Sequence, residues 1–143
     1  MEILLRDVID SDLPIFFQHQ ADPEAYQMAA YPSKDWASFQ SHWKKNLANE
    51  SNRNQTILYQ GEVAGYIVSF LMDGKREVGY WLGREFWNQG IASRALELFL
   101  QQEETRPLYG VVVKHNIASK RVLQKCGFKL QTEETQEDIF ILV

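Results

Sequence analysis

The sequence predicts a single domain of mixed α/β class, and three observations support this prediction. The chain has 143 residues, of which 45% are hydrophobic and 13% aromatic, enough to bury one core. Runs rich in β-branched and aromatic residues alternate with runs whose apolar residues recur every three or four positions. No internal repeat or low-complexity linker interrupts the sequence. We therefore expect one domain over residues 1–143.

The chain opens with a strand and a helix. Residues 3–5 are apolar and predict a short strand. The run Asp10-Ser11-Asp12 is typical of a helix N-cap, and Pro14 then falls in the first helical turn, where its missing N–H is not needed. We expect this helix to end near residue 20.

An irregular stretch and a second helix follow. Residues 21–32 show neither period, although they are rich in aromatic and sulfur-containing side chains. Residues 33–35 predict the cap of a helix with one apolar stripe, formed by Trp36, Phe39, Trp43 and Leu47. An aromatic stripe can line a ligand cleft, but at this spacing it more often forms core. We interpret it as packing.

The second half of the chain predicts a β-meander followed by alternating helices and strands. The turns Gly61-Glu62 and Asp73-Gly74 separate three strands, at 55–60, 63–72 and 76–82. The remaining predicted elements are a helix at 91–103, a strand at 108–113, a helix at 118–125 and strands at 128–133 and 138–143.

Composition excludes several classes of function. The 19 acidic residues exceed the 15 basic ones, giving a net charge of −4, which argues against a nucleic-acid partner. Cys126 is the single cysteine, so no internal disulfide forms and a reducing compartment fits. The three histidines stand in no metal-ligand spacing, and no apolar run reaches the length of a signal peptide or membrane span. We expect a cytoplasmic protein without metal, nucleic-acid or membrane partners.

The junction at residues 84–93 is the first candidate site. It joins a strand to an amphipathic helix, and a helix start offers unpaired N–H groups and about half a positive charge to an anion. Gly90 and the small Ala92 allow a phosphate to approach the backbone closely. Alone, this pattern is weak, because many helix starts with the same spacing bind nothing.

A second motif accompanies the first. Asn116-x-x-Ser119 is followed eight residues later by Gly127-Phe128. With Trp87-x-x-Gly90-x-Ala92, this pattern resembles the GNAT family of acyl-CoA N-acyltransferases from end to end of the chain. Trp87 stands where the family usually has Gln or Arg, a departure that looks like the RimJ/RimL-like branch.

The resemblance implies a GNAT fold, a mostly antiparallel sheet with one splayed parallel strand pair, and acetyl-CoA as co-substrate. The pantetheine arm is expected between the splayed strands and the pyrophosphate on the backbone amides of residues 88–93, with the Trp87 side chain less important. Lys120 and Arg121 are candidates for the adenosine 3′-phosphate, and Arg84 for another phosphate. The predicted cofactor-binding residues are Tyr80, Trp81, Leu82, Arg84, Trp87, Asn88, Gln89, Gly90, Ile91, Ala92, Ser93, Asn116, Ser119, Lys120 and Arg121.

Three residues are candidates for catalysis. Ser119, in the first turn of a helix, is expected near the thioester sulfur, where it donates a hydrogen bond or merely satisfies the helix start. Glu77 matches a position where some family members carry a general base, although a strand-end carboxylate also pairs readily with a neighbouring Lys or Arg. Tyr80 is an alternative polar partner.

We therefore expect an acetyl-CoA-dependent N-acetyltransferase that acts by direct attack of a primary amine. The acceptor is a small molecule or a protein N-terminus, and the sequence does not choose between them. The alternative is a non-catalytic module that binds acyl-CoA or a partner on the same fold. The chain is expected to be a monomer, or a homodimer formed through its last strand.

Overall fold

The computed structural model describes residues 2–143, which form one seven-stranded sheet and five helices. Short 3₁₀ turns at Asp10–Asp12 and Arg84–Phe86 precede the first and fourth helices. Within this described part, no helix is long and apolar enough to cross a membrane. The strands are β1 (Ile3–Asp7), β2 (Arg53–Tyr59), β3 (Glu62–Met72), β4 (Lys75–Leu82), β5 (Leu108–Val113), β6 (Lys129–Glu133) and β7 (Glu137–Leu142), and the helices are α1 (Leu13–Ala21), α2 (Pro23–Ala29), α3 (Trp36–Ala48), α4 (Ile91–Leu100) and α5 (Ile117–Lys125).

The sheet is antiparallel throughout except at β4 and β5. Its strand order is β1-β2-β3-β4-β5-β7-β6. β4 and β5 run parallel and pair at only two positions, Arg76 with Leu108 and Glu77 with Tyr109. Beyond Glu77, β4 stays paired with β3 as far as Leu82 but no longer pairs with β5. The expected mixed α/β fold with a splayed parallel pair is thus confirmed.

Each face of the sheet carries its own hydrophobic core. One face packs against α4 and α5 through side chains such as Leu96, Phe99 and Leu123. The other face packs against α1 and α3 through Phe16 and Trp43 together with their neighbours. Of the α3 stripe, Phe39 and Trp43 are buried in this second core, as predicted, whereas Trp36 and Leu47 are exposed. The cavity described below borders the first of these cores, since Leu82, Phe86 and Ile91 belong to both.

The stretch interpreted as irregular contains a helix. In α2, Asp22 is the N-cap and accepts a hydrogen bond from Glu24 N (3.1 Å), while Pro23 fills the first position. Ala30 closes the helix with φ +52°. The Asp-Pro pair is a helix-start signal of the same kind as the one before α1, but seven residues are too few to show a clear period.

Asp12 was predicted to cap the first helix, α1, but its carboxylate binds other groups. Its carboxylate accepts from Arg6 Nη1 and Nη2 (2.7 and 2.8 Å), from Thr56 Oγ1 (2.6 Å) and from Ile9 N. The side chain makes no cap bond to α1. Asp12 therefore ties β1 and β2 to the turn before α1, because a buried carboxylate requires such partners.

The last strand is not a sheet edge, which corrects the expectation that it pairs across a dimer. β7 lies between β5 and β6 and pairs antiparallel with both. The edge at this end of the sheet is β6, whose five residues, Lys-Leu-Gln-Thr-Glu, are all exposed. Charged and polar residues on an edge strand discourage pairing with another chain.

Candidate active site

One cavity of about 290 Å³ opens where β4 and β5 separate. The start of α4 bounds it on one side and the start of α5 on another, so both sequence motifs meet there. α2 supplies a third wall. The lining residues are Ala25, Met28, Ala29, Tyr80, Trp81, Leu82, Phe86, Trp87, Asn88, Gly90, Ile91, Ala92, Ser93, Asn116, Ala118, Ser119, Arg121 and Val122.

The loop before α4 presents backbone amides to this cavity. Asn88 (φ +59°) and Gly90 (φ +79°) adopt left-handed conformations, and Gly90 is the N-cap. The first hydrogen bond of the helix runs from Arg94 N to Gly90 O at 3.2 Å, so the amides of residues 91–93 precede the helical ladder. Amides of this kind suit an anion.

The Trp87 side chain holds the loop against β4. Its Nε1 donates to Leu82 O at 3.1 Å, and Gly83 N donates to Ala64 O at 2.9 Å. The buried Phe86 anchors the turn between them. The indole thus contributes to the shape of the loop through a contact with protein.

A close approach between β3 and β4 fixes the direction of the β4 backbone groups. A Cβ on Gly65 would lie 1.9 Å from the Trp81 carbonyl oxygen, so this carbonyl points toward β3. Successive peptide groups of a strand point in opposite directions. The backbone groups of Tyr80 and Leu82 therefore face the opening toward β5, and the Trp81 carbonyl does not.

Tyr80 and Ser119 form a hydrogen-bonded pair inside the cavity. The Tyr80 hydroxyl lies 2.9 Å from Ser119 Oγ, and either atom can donate. Burial raises the pKa of Tyr80 to about 12, against a lowering effect of the Ser119 hydrogen bond. The phenol is therefore protonated at neutral pH and can donate a hydrogen bond.

Asn116 fixes the start of α5. It is the N-cap, and its Oδ1 accepts from Ser119 N at 3.2 Å. This cap role belongs to Asn116, so the Ser119 hydroxyl is left to bond Tyr80. Asn116 and Ser119 of the second motif are thus joined by a hydrogen bond at the opening between β4 and β5.

Glu77 does not line the cavity. It lies on β4 three residues before Tyr80, about 10 Å along the strand. Strand alternation places its side chain on the face toward α1 and α3, opposite the Tyr80 hydroxyl. Burial raises the pKa of Glu77, and the nearby carboxylates of Glu137 and Asp73 raise it further.

Three of the predicted cofactor-binding side chains, those of Arg84, Gln89 and Lys120, contact other parts of the protein and do not line the cavity. Arg84 pairs with Asp22 Oδ2 (3.0 Å) and Glu24 Oε1 (2.8 Å), bridging to the start of α2. Gln89 donates to Glu85 O at 2.8 Å.

Lys120 Nζ lies 2.8 Å from Asp138 Oδ2 on β7, away from the cavity. Its neighbour Arg121 does line the cavity and is exposed. Among residues 2–143, no three His, Cys, Asp or Glu side chains cluster closely enough to hold a metal ion.

The α2 wall is the part of the cavity that the sequence did not predict as a helix. Ala25, Met28 and Ala29 line it, and the Asp22-Pro23 pair was the available signal. Phe86, Ala118 and Val122, which lie within or beside the two motifs, also line the cavity and were not among the predicted site residues.

Besides the Arg84 ion pairs, two further contacts hold the α2 wall in place. His115 Nε2 lies 3.0 Å from Gln27 O, joining α2 to the loop before α5. The Tyr31 ring packs edge-on against Trp81, with 6.1 Å between ring centroids.

The sequence matches the acetyltransferase (GNAT) domain family over residues 2–129. No curated protein sequence matches the chain. Among solved structures, the fold is similar to RimL, a ribosomal L7/L12 α-N-protein acetyltransferase in complex with coenzyme A. The TM-score is 0.83 with 19% identity, and the alignment covers 99% of this chain and 93% of that one.

Two further structures are similar. Spermidine N-acetyltransferase from Vibrio cholerae, in complex with CoA and spermine, has a TM-score of 0.81 and 13% identity over 97% of this chain and 92% of that one. An acetyltransferase from Thermus thermophilus has a TM-score of 0.84 and 17% identity over 99% and 97%. At such identities the likeness establishes the fold alone. The family match, however, covers about nine-tenths of the sequence, and the chain belongs to the GNAT acetyltransferase family.

Proposed function

We propose that this single-domain protein is an acetyl-CoA-dependent N-acetyltransferase that transfers the acetyl group directly to a primary amine. The observation that carries the proposal is the cavity itself. It joins the amides at the start of α4, the open edge of β4 and the Tyr80–Ser119 pair in one space. Each of these features meets a separate need of acetyl transfer from a thioester.

The residues present fit coenzyme A. The amides of residues 88–93 suit the pyrophosphate, because Gly90 brings the chain into α4 without a side chain in the way. The Tyr80 backbone groups and the Leu82 N–H, which face the opening, suit the pantetheine amides, together with Asn116; the Leu82 carbonyl already accepts from Trp87 Nε1. Arg121 is the basic side chain free to meet the 3′-phosphate, since Lys120 and Arg84 have carboxylate partners.

The Tyr80–Ser119 pair is proposed as the acid of the reaction. Bound acetyl-CoA supplies a thioester, whose carbonyl carbon forms a C–N bond with the amine while the C–S bond breaks. The departing sulfur then needs a proton. Because the pKa of Tyr80 is raised to about 12, the pair keeps its proton until a thiolate develops beside it, and water then returns a proton to the phenolate.

Glu77 is proposed as the base that receives the proton of the attacking amine. Its raised pKa suits this role, because a base works best when its pKa is near the working pH. Because Glu77 lies about 10 Å from Tyr80 along β4 and outside the cavity, a chain of water molecules would have to carry the proton from the amine to its carboxylate.

Direct transfer needs no acyl-enzyme. Cys126, at the end of α5, donates to Ser93 O at 3.5 Å. Burial raises the pKa of its thiol, which disfavours the nucleophilic thiolate.

The acceptor amine is proposed to enter from the face of the sheet that carries α2, Tyr31 and Trp81. This wall is largely uncharged. It suits either a small amine or a flexible N-terminal residue. Trp87 followed by Gly90-Ile91-Ala92 favours the RimJ/RimL-like branch, which would make a protein N-terminus the acceptor, and a cytoplasmic location fits such a substrate.

The experiment is an acceptor screen that reports free CoA thiol. Purified protein with acetyl-CoA is offered a panel of polyamines, aminoglycosides and peptides with different N-terminal residues. Acceptor-dependent thiol release supports the enzyme. A thermal shift with acetyl-CoA but no release with any acceptor supports a non-catalytic acyl-CoA-binding module instead, and no thermal shift removes the cofactor assignment. Mass measurement of the native protein distinguishes monomer from homodimer.

A further inference from the structure

Asp138 is a buried carboxylate that holds two lysines at once. Its residue is only 4% exposed. Lys114 Nζ donates to Oδ1 at 2.6 Å, and Lys120 Nζ lies 2.8 Å from Oδ2. The hydrogen bonds from Lys114 and then Lys120 hold the pKa of Asp138 below its usual value, so the carboxylate is ionised at neutral pH.

The two lysines bracket the second motif. Lys114 follows the end of β5, where its backbone N also donates to Gln136 O at 3.1 Å. Lys120 lies in the first turns of α5. Between them stand Asn116 and Ser119, the two motif residues that reach the cavity. Asp138 thus forms an ion pair with the lysine at each end of the segment 114–120.

The anchor itself is rigid. Asp138 belongs to β7 and is paired on one side with Val112 of β5 and on the other with Glu133 of β6. Because the backbone of Asp138 is held by this pairing, each of its two carboxylate oxygens fixes the position of one lysine ammonium group. The segment that it holds is otherwise only partly buried, since Ile117 and Ala118 are exposed.

We propose that Asp138 is a positioning residue for acetyl transfer, acting through Lys114 on Asn116 and through Lys120 on Ser119. The inference rests on the proposed function and extends it to residues outside the cavity. It also gives Lys120 a role other than phosphate binding. Ser119 Oγ must stay near 2.9 Å from the Tyr80 hydroxyl, so a small shift of α5 breaks the acid pair.

The two ends of the segment predict different kinetic effects. Loosening the Asn116 end weakens a contact to the cofactor, which raises KM for acetyl-CoA. Loosening the Ser119 end disturbs proton transfer, which lowers kcat. A displacement of about 1 Å can cost ~100-fold in rate, so a tenfold effect is a modest expectation.

The test compares Lys114→Met, Lys120→Met and Asp138→Asn with wild type. We expect Lys114→Met to raise KM for acetyl-CoA about tenfold with little change in kcat, and Lys120→Met to lower kcat about tenfold with little change in KM. Asp138→Asn combines both effects. Lys44→Met, at an exposed position on α3, is the matched control and keeps both constants.

Melting temperatures and acetyl-CoA titrations of each variant keep the result interpretable if Asp138→Asn folds poorly. A purely structural role would lower the active fraction, and hence kcat alone, in all three variants in proportion to the lost stability. That pattern, or unchanged kcat and KM in all three while wild type turns over, overturns the proposal. Failure of the proposed function is distinct, because wild type itself would then release no CoA with any acceptor.

Discussion

Replacement of Tyr80 by Phe removes one oxygen from the centre of the proposed acid pair and leaves the ring in place. The lost contact is the 2.9 Å hydrogen bond to Ser119 Oγ. One such bond contributes about 1 kcal/mol to stability. For a chain of 143 residues, this corresponds to a fall in Tm of roughly 3 °C. The fold should therefore survive the change.

The kinetic effect should be much larger than the effect on stability. A positioned general acid contributes about 10²- to 10⁴-fold to the rate. We expect kcat of Tyr80→Phe to fall at least ~100-fold, equivalent to about 2.7 kcal/mol in the activation free energy. Acetyl-CoA affinity should stay within about threefold, because the proposed cofactor contact of Tyr80 is made by its backbone.

The assay is steady-state CoA release, with acetyl-CoA affinity measured by calorimetry. Ser119→Ala and the double variant complete the comparison. If the two hydroxyls act as one acid, the double variant is hardly slower than the worse single variant. Tyr59→Phe, a half-buried tyrosine on β2, is the control and should keep full activity. Retention of kcat within about threefold by Tyr80→Phe would refute the reasoning.

Two further predictions concern β4 and its neighbour. Gly65→Ala would place a Cβ 1.9 Å from the Trp81 carbonyl oxygen. We therefore expect the free energy of unfolding to fall by about 1–3 kcal/mol and Tm, measured by calorimetry, to fall by roughly 3–10 °C. A Cβ at Gly79 meets its nearest neighbouring atom only at 4.0 Å, so Gly79→Ala should melt near wild type, and equal melting of both variants would contradict the backbone geometry. Folding raises the pKa of Glu77, so the folded state favours the protonated carboxyl. This contribution to stability is complete below the unfolded pKa and is lost as pH rises through the folded pKa. Glu77→Gln should therefore melt at a higher temperature than wild type at neutral pH and at the same temperature near pH 4. It should also abolish the fall of kcat/KM at low pH that protonation of the base causes, and an unchanged fall would exclude Glu77 as the base.

The regular elements of the sheet were predictable because their signals are local. The turns around Gly61 and Gly74 set the β2-β3-β4 meander, and both glycines have positive φ, near +80°. The strand β5 was predicted with its observed bounds, Leu108–Val113. α2 was missed because seven residues span only two turns, which is too short for a period to appear.

The position of the last strand was not predictable from its place in the chain. Either strand of the final hairpin can lie next to β5. The choice follows from burial, since Asp138 and Phe140 of β7 are buried while all of β6 is exposed. The alternating pattern of β7 and the polar composition of β6 contain this signal, but only when read together.

The candidate site was predictable to the extent that its residues belong to the two motifs. Gly90, Asn116 and Ser119 come to one cavity because each lies at the start of a helix that follows a central strand. Arg84 and Lys120 occupy equally suggestive positions. Their carboxylate partners lie on α2 and β7, far away in sequence, so that spacing alone does not show how they pair.

The most direct test of the central claim is a time course of free CoA thiol with wild-type protein, acetyl-CoA and the amine panel, with mass analysis of the acceptor. The proposed function predicts thiol release that depends on one class of amine and equals, mole for mole, the acetylated product. Bound acetyl-CoA that yields no thiol with any amine, or thiol that appears without acetylated amine, would contradict it.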